Sequence, residues 1–161
     1  MLDHLLVAGR RIIRAAELVS AGCLLVACII NLTNIVGRYF FHSPIVWAEE
    51  IMQFLMIGGV FLGAPMVTLR HAHISMDMML MIFPKSIRGL LDIVGQLSLV
   101  AVCCAVIWLA IPVIIQFINF EQVTDAAAIP VAIPQSVIPV GMFLMVLAVV
   151  VRLVETHRTK V

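Results

Sequence analysis

The chain has 161 residues, 63% of them hydrophobic and 12% charged, with a mean hydropathy of +1.18 and a formal net charge of +1. An ordinary soluble domain is about 45–50% apolar and about 25% charged, so this composition excludes a water-soluble globule. The apolar residues come in blocks near the roughly 20 residues that a helix needs to cross a bilayer.

Four such blocks stand out, at 15–36, 46–69, 93–118 and 126–151. In lipid every backbone amide must be satisfied within its own segment or in a closed barrel, and runs such as LLVACII and FLMVLAVVV are continuously apolar rather than alternating. The expected fold is therefore all-α, one membrane domain over 1–161 with four spans. The opening, MLDHLLVAGRRIIRAAELV, places arginines before an apolar run as a secretion signal does. Its apolar run is longer than the usual 7–15 or so residues and no small-residue cleavage site follows, so it is read as the start of the first helix.

Between the first two spans lies RYFFHSPIVWAEE. Arg38 ends helix one, His42 to Pro44 turn the chain, and Trp47 to Glu50 begin helix two, which makes a tight antiparallel hairpin. Proline costs little at a helix entrance, Trp47 suits the headgroup level, and Glu49 and Glu50 complement the helix dipole in the first turn. Arg38 can pair with either glutamate across the hairpin. With Asn34 one turn before Arg38 and Gln53 one turn after Glu49, these groups can form a single polar network. A carboxylate in a span is also a candidate ion or proton site, but both glutamates fall at the edge of the apolar block, which favours a structural clamp or a partner contact. Asn31 and Asn34 share a face suited to interhelical hydrogen bonds of about 1 kcal/mol each.

In helix two, Gly59 and Gly63, flanked by Gly58 and Ala64, form a small-xxx-small face that admits a close neighbour. The loop that follows, LRHAHISMDMMLMIFPKSIRG, offers His71 and His73, or Met76, Met78, Met79 and Met81, as metal ligands. The alternative is a short amphipathic helix lying at the interface, with His73 and Asp77 paired on its polar face, and this is the reading adopted. Cys103 and Cys104 are adjacent and so point to different sides of helix three. Like Cys23 and Cys28, they read as packing residues. Helix four opens IPVAIPQSVIPVG, with Pro130, Pro134 and Pro139 all in its first half, and an irregular helix entrance is expected there.

An even number of spans puts both termini on one side. Arg10, Arg11, Arg14, Arg70, Lys85, Arg88, Arg152, Arg158 and Lys160 fall on that side, and Arg38 alone on the other. The positive-inside rule therefore predicts cytoplasmic termini. None of the five histidines is mid-span, which disfavours a bis-histidine haem. No charged residue is expected near the bilayer centre, where a self-contained pump would need one. No phosphate loop, nucleophile triad or metalloprotease motif is present.

NIVGRY at Asn34–Tyr39, then Pro44, WAEE at Trp47–Glu50, FLGA at Phe61–Ala64, and RHAHI at Arg70–Ile74 with Asp77 together resemble the small membrane (Q-type) subunit of tripartite ATP-independent periplasmic (TRAP) transporters. Pro130 and the PVG string at Pro139–Gly141 are similar to that family's last helix. The sequence departs from the pattern at Ala132, Ile133 and Pro134, where aromatic residues are usual. The resemblance implies a small subunit that packs against the static scaffold of a large multi-spanning subunit. The large subunit moves an organic acid by an elevator-like motion driven by sodium, after a periplasmic binding protein has captured it. It implies that the sodium and substrate ligands lie in the large subunit, so this chain has no catalytic, cofactor or metal residues. Asn34, Arg38, Tyr39, Trp47, Glu49, Glu50, Gly59, Gly63, His73, Asp77, Pro130, Pro139 and Gly141 then have structural or subunit-contact roles.

The expectation is thus a non-enzymatic accessory subunit in a bacterial inner membrane, with lipid and the other transporter components as partners and no nucleic acid. Two alternatives stay open: the membrane anchor of a redox enzyme, and an independent small four-helix transporter.

Overall fold

A computed structural model describes residues 2–43, 45–71 and 85–159. Pro44 and the segment 72–84 lie outside the described residues. The amphipathic helix expected there, His73, Asp77 and the methionine cluster therefore receive no structural account.

Four helices make up the fold: α1 (Leu2–Phe40), α2 (Ala48–His71), α3 (Lys85–Asn119) and α4 (Ala132–Thr159). All four are long and apolar enough to cross a membrane, and the chain is a multi-pass membrane protein. Helices α1 and α3 run well past the apolar blocks that announce them, at 39 and 35 residues. At about 1.5 Å per residue, α1 exceeds the ~30 Å hydrocarbon layer by nearly twofold. The excess lies mainly at the terminal end, where Arg10, Arg11 and Arg14 are good helix formers and water can solvate them.

The helices end by local backbone chemistry. The carbonyl of Gly37 accepts the amides of Phe41 (3.1 Å) and Ser43 (3.2 Å), with His42 at a φ of 51°. At the end of α3, Gln122 N donates to Phe117 O and Glu121 N to Ile118 O, both at 3.2 Å, with Glu121 at φ 46°. That bond pair is a Schellman closure, with glutamate in the left-handed position that glycine usually fills.

Helix four starts later than its apolar block suggests. Residues 126–131 belong to the α3–α4 connection, which carries an isolated bridge between Val123 and Pro130. Pro130 and Pro134 explain the shift, since neither has an amide to give a continuing helix. Pro134 lies in the first turn of α4, where amides go unbonded in any case, and Pro139 lies inside the helix.

Across the molecule the helices stand in the order α1, α2, α4, α3. Helix α2 packs extensively on α1 and α4, α3 packs on α4, and α1 meets α4 only lightly. The small buried core of Ile13, Met66 and Ala148, with Leu69 against it, joins the first, second and fourth helices toward the end that carries the termini. Lipid tails are as apolar as leucine, so burial does not drive helices together in a bilayer, and close approach has to supply the contact energy. Gly141 shows this most sharply: a Cβ there would stand 2.5 Å from the carbonyl oxygen of Phe61 on α2.

Because that obstacle is backbone, Gly141→Ala is expected to cost about 1–3 kcal/mol, the usual penalty of overpacking. At Gly58 the nearest atom to an added Cβ is the Cys23 sulfur, 3.7 Å away, so Gly58→Ala should be close to neutral. Thermal unfolding of both variants in detergent checks the contrast. Equal melting temperatures would show that the α2–α4 crossing is not tight.

Candidate functional site

The motif residues gather in two places: the hairpin end, which carries the α1–α2 and α3–α4 connections, and a seam along α2. At the hairpin end Asn34 works on the backbone, its Oδ1 accepting the Ile45 amide at 3.0 Å. One side chain in α1 thereby fixes the approach of the chain to α2, where Ala48 is fully buried.

Glu50 holds a different connection. Its Oε1 accepts the amide of Ala126 at 3.0 Å and its Oε2 the amide of Ala127 at 2.8 Å. Two successive backbone amides thus grip the two oxygens of one carboxylate, and charge-assisted bonds of this kind are the strong ones. The amides are aimed by the fold of the loop around Thr124. Thr124 N donates to Ile129 O (3.0 Å), its carbonyl accepts Ala128 N (3.2 Å) and its Oγ1 accepts Ile129 N (3.2 Å). Val131 N donates to Gln122 O at 3.0 Å, and Ala128 takes a φ of 52° to close the tip.

The single network expected from Asn34, Arg38, Glu49 and Gln53 is distributed otherwise. Arg38 lies over the ring of its neighbour Tyr39, 5.7 Å from the centroid. Glu49 and Gln53 are exposed, and among the described residues no ion pair joins Arg38 to either glutamate. The clamp binds α2 to the far loop rather than to α1. Tyr39, Phe40, Phe41, Trp47 and Phe120 are exposed around this end and form an aromatic belt of the kind that sits at headgroup level.

Along α2, Ser20 of α1 donates its hydroxyl to the carbonyl of Gly59 at 2.5 Å. A Cβ at Gly63 would come within 2.7 Å of the same Ser20 oxygen, and one at Gly59 within 2.8 Å of Leu24. The glycine face therefore serves a helix of this chain. Beside it runs an open groove of about 670 Å³ lined by Glu17, Ser20, Leu24, Gly59, Gly63 and Met145, among others. The sequence reading passed over Glu17, Ser20 and Thr124. Two polar residues three apart among apolar ones, and so on one helix face, were the available signal for the first two.

Pro130 closes the bridge of the α3–α4 loop, Pro139 lies in α4 and Gly141 faces Phe61. Among the described residues no group of three His, Cys, Asp or Glu is placed to hold a metal ion. Four apolar spans, with backbone-directed polar groups holding the two connections at the hairpin end, define a small polytopic membrane protein.

Residues 27–159 match the model of the family described as tripartite ATP-independent periplasmic transporters, DctQ component. The chain belongs to this family. It is 34% identical over 76 residues to the C4-dicarboxylate TRAP transporter small permease protein DctQ of Vibrio cholerae, covering 47% of this chain and 30% of that one. It is 32% identical over 74 residues to the sialic acid TRAP transporter permease protein SiaT of Haemophilus influenzae, covering 46% of this chain and 12% of that one. To the isethionate TRAP transporter permease protein DctMQ of Oleidesulfovibrio alaskensis it is 25% identical over 130 residues, which cover 78% of this chain and 20% of that one. No solved structure matches the chain.

Replacing Glu50 by Gln puts an amide NH₂ where one of two backbone donors needs an acceptor. Glu50→Gln is expected to speed hydrogen exchange at Ala126 and Ala127 and to open the 122–131 loop to protease, while Glu49→Gln leaves both unchanged. Equal protection in the two variants would show that the loop holds itself.

Proposed function

We propose that this chain is the non-catalytic small subunit of a sodium-gradient-driven organic-acid transporter, packed against the static scaffold of a large elevator-type permease. The observation that carries this reading is the DctMQ match: most of this chain corresponds to a fifth of a larger TRAP permease protein. A unit of this size therefore occurs within a larger permease, and here the remainder is taken to be a separate chain.

The bundle supports the reading. In the most apolar stretch of each span, between 6% and 22% of the residues are buried within the chain. Helix α3 exposes Leu97, Val102, Trp108 and Leu109, leaving wide surface for lipid and for a larger subunit. In the proposed assembly the termini are cytoplasmic in a bacterial inner membrane. The hairpin end is periplasmic, on the side from which a substrate-binding protein docks. Sodium and substrate bind in the large subunit, and the chain itself is no enzyme.

Affinity purification of the tagged chain from its native membrane, with mass spectrometry, is expected to recover one large multi-spanning permease in comparable amount and no haem absorbance. Recovery of redox subunits, or of this chain with no permease, would overturn the reading. A cysteine placed at Gln122 should react with a membrane-impermeant maleimide from the periplasm, whereas one at Arg11 should not; the reverse pattern would invert the orientation.

A further inference from the structure

Side-chain amides that face lipid are costly within a span unless another group binds them, and two such groups on this chain have nothing to bind. Asn31 of α1 and Gln53 of α2 are exposed, and among the described residues neither carboxamide has a hydrogen-bond partner. Asn34, one turn from Asn31, differs in that its carboxamide oxygen is taken by the Ile45 amide. We propose that Asn31 and Gln53 hydrogen-bond to a transmembrane helix of the large permease, which lies in the open groove between α1 and α2. The assignment rests on the subunit reading above and gives the permease a place on this chain.

Helical spacing puts both carboxamides on the walls of that groove. Leu24 lines it on α1, and Val60 and Val67 line it on α2. Asn31 follows Leu24 by seven residues and Gln53 precedes Val60 by seven. Seven residues are close to two helical turns, so each amide shares the face of its lining residue. A Cβ added at Gly59 would meet Leu24, which sets those two positions opposite each other. Seven residues further toward the hairpin end, α1 reaches Asn31 and α2 reaches Met52, the neighbour of Gln53. The two carboxamides therefore stand at nearly one level on facing walls.

Depth narrows what can satisfy them. Asn31 is nine residues inside the end of the span Leu6–Phe40, and Gln53 is five inside the start of Ala48–Leu69. At about 1.5 Å per residue this is roughly 13 Å and 7 Å from those ends, beneath the aromatic belt at headgroup level. The asparagine side chain is too short to reach the interface from there, and an acyl chain offers it neither donor nor acceptor. A polar side chain on another helix does, and hydrogen bonds of this kind join spans in lipid.

Shape selects the helix. The wall of α2 between Val60 and Val67 carries Gly63 and Ala64, so an entering helix meets little side chain there and can approach closely. The groove runs along the existing α1–α2 contact, and an added helix extends an interface already formed. A second copy of this chain, related by a two-fold axis at this face, would set groove against groove and leave both unfilled. The permease supplies a helix of different sequence, which can present a ridge to the groove.

The test uses the complex purified from its native membrane. A small aliphatic diazirine residue in place of Leu24 is expected to crosslink to the permease on illumination, with the modified peptides falling in one spanning segment. Val60→Trp, which fills the groove, should abolish that crosslink. Asn31→Leu combined with Gln53→Leu should weaken association with the permease about tenfold, as the loss of two interhelical hydrogen bonds requires. The double variant alone should melt no lower than the wild-type chain, because neither side chain has a partner within it. A lower melting temperature would place both amides in contacts within the chain and overturn the proposal. Unchanged association in the double variant, or a crosslink to lipid or to a second copy while the permease still co-purifies, would overturn the groove assignment and leave the subunit reading standing. A wild-type chain that recovers no permease would overturn both.

Discussion

Close approach at α2 is the constraint on which the rest of the structure depends. A bilayer supplies no hydrophobic drive between helices, so α2 is held by contact that only small residues permit. Gly59 and Gly63 admit α1 on one side, with Ser20 donating to the Gly59 carbonyl. On the other side Gly141 of α4 lets the backbone of α2 at Phe61 come within reach. Helix α3 then attaches chiefly to α4, so an error at the α2–α4 crossing would loosen the two halves of the molecule.

Polar groups add direction to a packing that is otherwise unspecific. Asn34 and Glu50 each bind backbone amides of a connection, and backbone amides stay donors whatever side chains neighbouring residues carry. Glu50 spans 76 residues of sequence to reach Ala126 and so fixes the α3–α4 loop relative to α2. The result is a rim tied by backbone hydrogen bonds at the hairpin end, ringed with exposed aromatics, above spans that bury little within the chain. This form is compatible with the scaffold role proposed above.

Much of this was legible in the sequence. Length and continuous apolarity identified all four spans, and the Gly59–Gly63 face, the hairpin after Arg38 and an irregular entrance to the last helix follow from simple rules. The partner of Glu50 did not. Three successive alanines read as helix, and only the geometry set by Pro130 and Thr124 turns their amides toward a carboxylate on another hairpin. Arg38 and Glu49 misled because opposite charges near each other in sequence invite pairing, whereas α1 ends with Arg38 beside Tyr39 and exposed. Arg152 reads as one of many charges at the terminal end, yet it is only 9% exposed, and burial of that kind cannot be seen in one dimension.

The proposed steadying role concerns the partner more than the chain itself. The direct measurement is the thermal stability and dispersity of the large permease, produced in its own membrane with and without this chain and extracted in the same detergent. A scaffold subunit predicts a permease that is monodisperse and melts at a distinctly higher temperature when the chain is present. Indistinguishable melting and dispersity in both preparations would contradict it.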